Sequence, residues 1–193
     1  INGVERVIVP QLARSYGIFF TTNESKGRTY FGAKIIPARG AWVEIESEAD
    51  GVLYVKIDRK RKFPISSLFR VLGIENEKDA QKLFKGVPHA DEYMVKTFAK
   101  DVAKTTDDSY IEIYKRLRDG DLATVDNAKE FVNSIFSPQR YDLSEIGRHH
   151  FNQRFGLKTD AKADAERTVS VEDLVTIIKN IIESNHTPGA LAD

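Results

Sequence analysis

At 193 residues, with 41% hydrophobic and 30% charged side chains, the chain has ordinary globular usage and length enough to bury a core, which excludes a disordered tail or a coiled coil. Its 29 basic and 29 acidic residues cancel, so no global field steers it onto nucleic acid and any such contact must rest on local patches. The lack of cysteine excludes disulfides, zinc ribbons and thiol nucleophiles and favours a cytoplasmic compartment, and no apolar run approaches the roughly 18 residues of a membrane helix.

The first third is rich in β-branched and aromatic residues and punctuated by glycine, which predicts strands. They fall at Glu5 to Val9, Gly17 to Thr21, Thr29 to Ile36, Trp42 to Glu46 and Val52 to Ile57. Arg39-Gly40 and Ala49-Asp50-Gly51 are turn signals, because glycine adopts positive φ without steric cost. In Trp42-Val43-Glu44-Ile45-Glu46 the period-two alternation sets Trp42 beside Glu44 and Glu46, on the polar face.

From Pro64 the period becomes helical, with Leu68, Val71 and Leu72 recurring until Gly73. Further helices are predicted at Glu77 to Phe84, Asp91 to Ala103, Ser109 to Leu117, Asp126 to Phe136, Ser144 to Phe155 and Val171 to Glu183. Ser170 before Val171-Glu172-Asp173 has the form of an N-cap with acidic first-turn residues. Lys158 to Arg167 is polar and alanine-rich, a loop or a marginal helix. The fold class that follows is α+β: a small, mainly antiparallel sheet in the N-terminal third, then a helical half.

The strongest basic cluster is Lys56, Arg59, Lys60, Arg61 and Lys62, either a phosphate-contacting patch or a solvated strand end. Lys115, Arg116 and Arg118 close a helix, where cations suit the dipole in any case. Arg6, Gln11 and Arg14 lie in one strand-to-loop segment and carry groups able to bond phosphates or base edges. Trp42, next to Arg39, either stacks on an unpaired base or anchors the sheet. Adjacent His149 and His150 point about 100° apart on a helix, which argues against a shared metal ion. Glu44, Glu46, Glu48 and Asp50 read as a solvated acidic face without the convergence of a two-metal site. No phosphate-cradling loop, nucleophile elbow or Ser/His/Asp arrangement is present. A chain that opens at Ile1, carries Met94 as its single methionine and stops at Asp193 reads as an excised segment.

Against this stands a resemblance. The run from Ile1 to Leu12 (INGVERVIVPQL) resembles the bacterial RNA polymerase β subunit where its protrusion passes into its lobe. The likeness continues in order at Ala33 to Trp42 (AKIIPARGAW), Val55 to Lys62 (VKIDRKRK), Tyr114 to Asp121 (YKRLRDGD) and Phe136 to Arg148 (FSPQRYDLSEIGR), the last resembling the family's gate-loop region. At Arg118-Asp119-Gly120-Asp121-Leu122 the family's usual proline is missing, so the turn there is expected to differ.

The resemblance implies a junction with the protrusion over residues 1–15 and a lobe over 16–193, with its sheet part about 16–62 and its helical part about 63–185. It implies a non-catalytic lobe lining the downstream DNA channel of a nucleotidyltransferase, with no cofactor of its own because the magnesium is held by the β′ subunit. Carried over residue by residue, Arg6, Val9 and Gln11 edge the rifamycin pocket, Arg14 and Trp42 touch the non-template strand, and Arg140 sits on the gate loop facing β′. Arg39, Arg59, Lys60, Arg61 and Lys62 complete the expected DNA-binding set. The implied partners are β′, the rest of β, the α and sigma subunits, downstream duplex DNA and the non-template strand, with no membrane and a monomeric segment. The rival reading is a protein-interaction module that docks a transcription or sigma factor. A lobe inserted into another domain is also expected to bring its two ends together.

Overall fold

The structure is a computed structural model and describes residues 2–25, 27–118, 120, 122–159 and 166–187. Five strands, β1 (Gly17–Ser25), β2 (Arg28–Ile36), β3 (Val43–Ser47), β4 (Leu53–Ile57) and β5 (Phe63–Pro64), form one antiparallel sheet in sequence order. Then follow α1 (Ile65–Val71), α2 (Glu77–Leu83), α3 (Ala90–Lys100), α4 (Thr106–Leu117), α5 (Val125–Ile135), α6 (Ser144–Arg154) and α7 (Val171–His186). The α+β arrangement expected from the change of period is what the chain adopts.

Alternation divides the sheet into two faces. Ile35 of β2 faces Val43 of β3, which faces Ile57 of β4, and all three are sealed from solvent on the side covered by helices. Each such aliphatic side chain contributes about 1.5–3 kcal/mol by leaving water. Helix α7 packs on β2, α6 on β1, and α1 and α3 on β4, so the core lies between the sheet and the helical layer.

Two buried ion pairs sit in that layer. Arg70 of α1 reaches Asp101 at 2.7 Å, and Ser66 and Ser67 donate to the same carboxylate. Arg148 of α6 makes a two-pronged bond to Asp173 of α7, both contacts at 2.9 Å, and also donates to the carbonyls of Glu166 and Thr168. Asp173 closes the capping box with Ser170, so the N-cap expected from sequence is present.

Several expectations are corrected. Residues 5–9 form no strand: Val7, Ile8, Val9 and Leu12 are exposed, and no strand among the described residues lies beside them to pair with their backbone. Strand β5 was not anticipated, because two residues carry no periodicity and owe their pairing to Tyr54 and Val55 of β4. The reversal at Arg39-Gly40 is a longer connection over residues 37–42, pinned by an isolated bridge from Arg39 to Asp142. Meeting of the two ends cannot be read here, since residue 1 and residues 188–193 lie outside the described residues, as do Asp119 and Asp121 of the turn without proline and residues 160–165.

Candidate nucleic-acid interface

The sheet face turned away from the helices carries the ladder Phe19, Lys34, Glu44 and Lys56 across β1 to β4. One step along, Tyr54 lies opposite Glu46. Acid meets base at each step: Lys34 is 3.1 Å from Glu44, Lys56 is 2.8 Å from Glu46, and Lys62 pairs with Glu48. Of the acidic residues expected to form a solvated face, Glu44, Glu46 and Glu48 are therefore paired with lysines, and Asp50 accepts hydrogen bonds from the Tyr54 hydroxyl and the Val52 N–H.

What distinguishes this face is the set of cations seated on aromatic rings. The Arg14 guanidinium lies 3.9 Å from the centre of Phe19. Arg59 lies 4.5 Å and Lys34 5.6 Å from Trp42, and Lys62 lies 4.7 Å from Tyr54. A cation over an aromatic face contributes about 0.5–1 kcal/mol where exposed, which orders both partners without consuming the positive charge. The Tyr54 hydroxyl donates to Asp50 at 3.1 Å, and burial, followed by the Asp50 charge, pushes its pKa up to about 12, so it remains a neutral donor.

Trp42 sits just before β3 and is half-buried, on the face that alternation gives it. Its backbone N–H donates to Asp58 Oδ1 at 3.0 Å, while the Asp58 N–H donates back to the Trp42 carbonyl at 2.9 Å. Asp58 and Arg59 both have positive φ, +51° and +59°, which breaks the strand period after Ile57 and turns Arg59 over the indole. The arginine beside Trp42 in space is thus Arg59, whereas sequence proximity had suggested Arg39.

Arg39 goes elsewhere. Its side chain donates to the Pro138 carbonyl at 3.3 Å, and its backbone exchanges hydrogen bonds of 3.1 and 2.8 Å with Asp142. This lacing brings the 37–42 connection against residues 137–142 and sets Arg39 beside Arg140. Gly40 makes the approach possible at φ +118°, since a Cβ there would come within 2.9 Å of the Arg140 carbonyl and of the Tyr141 ring.

The structure therefore groups the residues singled out from sequence into three places. Trp42, Arg59 and Lys62 share the outer sheet face, with Arg14 at its β1 edge near His150 and Arg154. Arg39, Lys60 and Arg140 surround one cavity beside that face. Arg6, Val9 and Gln11 run along the exposed N-terminal segment and meet neither group. Arg59, Lys60, Arg61 and Lys62 are all exposed, although Lys62 has its acidic partner and Arg61 is engaged as well. Sequence reasoning missed Phe19, Lys34 and Tyr54; the same alternation that placed Trp42 would have found them. Among the described residues no group of three or more His, Asp or Glu side chains is arranged to hold a metal ion. No described helix is long and apolar enough to cross a membrane.

Comparison with known proteins places the chain in a family. A family model described as RNA polymerase Rpb2, domain 2, matches residues 14–193. A DNA-directed RNA polymerase subunit beta of Staphylococcus saprophyticus is 47% identical over 160 residues, covering 82% of this chain and 13% of that protein. The protein of the same name from Exiguobacterium sp. is 44% identical over 160 residues, covering 82% of this chain and 13% of its own length. That of Syntrophomonas wolfei is 38% identical over 185 residues, covering 95% of this chain and 16% of the relative. The chain thus spans less than a fifth of each of these relatives. With the match running from Arg14 through the sheet and all seven helices, the chain belongs to the RNA polymerase Rpb2 domain 2 family.

Proposed function

We propose that the chain is the lobe of a bacterial RNA polymerase β subunit and acts in DNA-templated transcription as a non-catalytic wall of the DNA channel. The observation that carries this reading is the outer sheet face, where Arg14, Arg59 and Lys62 each rest on an aromatic ring beside the half-exposed Trp42. Aromatic rings interleaved with cations are what an unpaired strand requires: each base finds a stacking platform and each phosphate a positive charge. In the free chain Arg59 covers the indole; a base arriving on Trp42 takes its place, and the guanidinium moves to the adjoining phosphate. The cross-strand pairs of Lys34 and Lys56 hold the platform flat and supply little net field. Chemistry belongs to the partner β′ subunit, whose magnesium the β lobe does not ligate, and Arg140 on its loop faces that partner.

The test is the open-complex lifetime of a whole polymerase carrying Trp42→Ala, measured beside thermal unfolding of the same variant of this chain. Loss of one stacked base costs about 1–3 kcal/mol, so the lifetime should fall at least several-fold while the half-exposed ring gives up little stability. An unchanged lifetime would remove Trp42 from the strand path. A large loss of stability would make it a sheet anchor instead.

A further inference from the structure

Beside the outer sheet face, between the end of β4 and helices α4 and α5, lies a cavity of about 470 Å³. We propose that it binds an acidic peptide segment, taking one bulky aliphatic side chain into its floor while flanking carboxylates rest on its rim. The inference stands apart from the strand-binding reading: the cavity uses neither the Trp42 ring nor Arg14, although Arg39 and Lys60 border both regions.

The floor is apolar. Ala41, Ile57, Leu117, Phe131 and Ile135 line it. Its volume falls within the range of about 300–1,000 Å³ usual for ligand sites and holds a leucine-sized anchor together with the backbone that carries it. The wall is preformed, because Gly40 lies so close to the Arg140 carbonyl and the buried Tyr141 ring that no side chain fits between them.

The rim is positive. Arg39, Lys60 and Arg140 stand around the opening against one carboxylate in the lining, Asp58, which is already committed to the Trp42 N–H. The Arg39 side chain is 60% exposed and 3.9 Å from Asp142, a carboxylate it shares with Arg167 at the same distance. Among the described residues, the Arg140 side chain donates to a neutral hydroxyl, that of Ser134, at 3.2 Å. Three cations over an apolar floor complement acidic residues around an apolar anchor.

A nucleotide fits this chemistry less well. A base entering the cavity would carry its polar edge onto an apolar floor, and an unmatched buried polar group costs about 1–3 kcal/mol. The ring in the lining, Phe131, differs from Trp42 in being wedged edge-on by Tyr114 at 5.4 Å as well as covered by Arg118 at 4.8 Å, so a base would have to displace two partners to stack on it.

The test uses the 193-residue chain, isotope-labelled for amide NMR, and three probes. These are a short aspartate-rich peptide with two central leucines, the same peptide with serines in their place, and a single-stranded oligonucleotide of equal charge. The leucine peptide should shift the amides of Gly40, Ala41, Lys60 and Ile135. It should bind about tenfold more tightly than the serine peptide and lose about tenfold in affinity with Arg140→Glu. Lys60→Glu, at an exposed position, gives the same reading should Arg140→Glu perturb folding. Equal binding of the two peptides, or indifference to both rim substitutions, would overturn the proposal. Tighter binding of the oligonucleotide at the same amides would overturn it in favour of a nucleotide site.

Discussion

At the scale of single residues, one of two buried ion pairs among the described residues joins Arg148 to Asp173. Their side chains are 4% and 9% exposed, so neither charge has water to fall back on. Asp173→Ala would strand the guanidinium and undo half of the α7 capping box. The expected loss is about 3–5 kcal/mol, read from the midpoint of urea unfolding. Replacing both members by apolar residues of matching volume should recover only part of that loss: the unpaired charge is gone, but the Glu166 and Thr168 carbonyls and the Ser170 N–H lose their partners. Trp42 and Arg59 show the opposite case. Their contact is at the surface and weak, so it can be exchanged for a ligand, whereas Arg148 and Asp173 cannot.

At the scale of elements, the helices owe their ends to local chemistry and their places to packing. In α4, Thr105 Oγ1 accepts the Asp108 N–H at 3.1 Å, and Asp108 accepts the Thr105 N–H at 3.2 Å. The hydrogen bonds at Thr105 hold the Asp108 carboxyl below its ordinary value. Thr105→Ala should therefore cost about 1 kcal/mol in thermal or urea unfolding, with helix content retained, since α4 stays packed on α1 and α5. Repeating apolar faces made the longer helices legible in the sequence, and Ser170 marked the start of α7; α2, α4 and α5 also begin at an Asn or Thr that accepts a backbone bond, although α2 buries a single residue, Ala80. The strands were legible through glycine and alternation, and β5 was not, because nothing local marks it.

At the scale of the whole molecule, the candidate site was legible in its residue types and illegible in its pairings. Arg39 and Arg140 are about a hundred positions apart, and their meeting depends on two loops bonded to each other, which no local pattern encodes. Arg59 reaches Trp42 only because two successive residues adopt left-handed backbone, which the period-two rule does not foresee. A second long-range joint has a measurable signature in pH. His186 at the end of α7 stacks on His89 at the start of α3, with ring centres 3.9 Å apart, and Tyr93 meets it edge-on at 6.0 Å. Burial first, then the neighbouring His89, lowers the pKa of His186, against a smaller upward pull from Glu92. The unfolded chain then takes up this proton before the folded one. The stability tied to His186 is thus full above about pH 6.5 and drains away as pH falls from there through the lowered value. The melting temperature should decline over that window, and His186→Gln should flatten the decline.

Arg148 has one more consequence, for the seating of α7. By gripping the carbonyls of Glu166 and Thr168 together with Asp173, it fixes the entry to α7 from its own position on α6. Helix α6 lies on β1 and α7 on β2. The clasp therefore acts as a splint between the supports of two neighbouring strands, and the register of α7 against the sheet is set by a side chain of another helix as much as by its own apolar face.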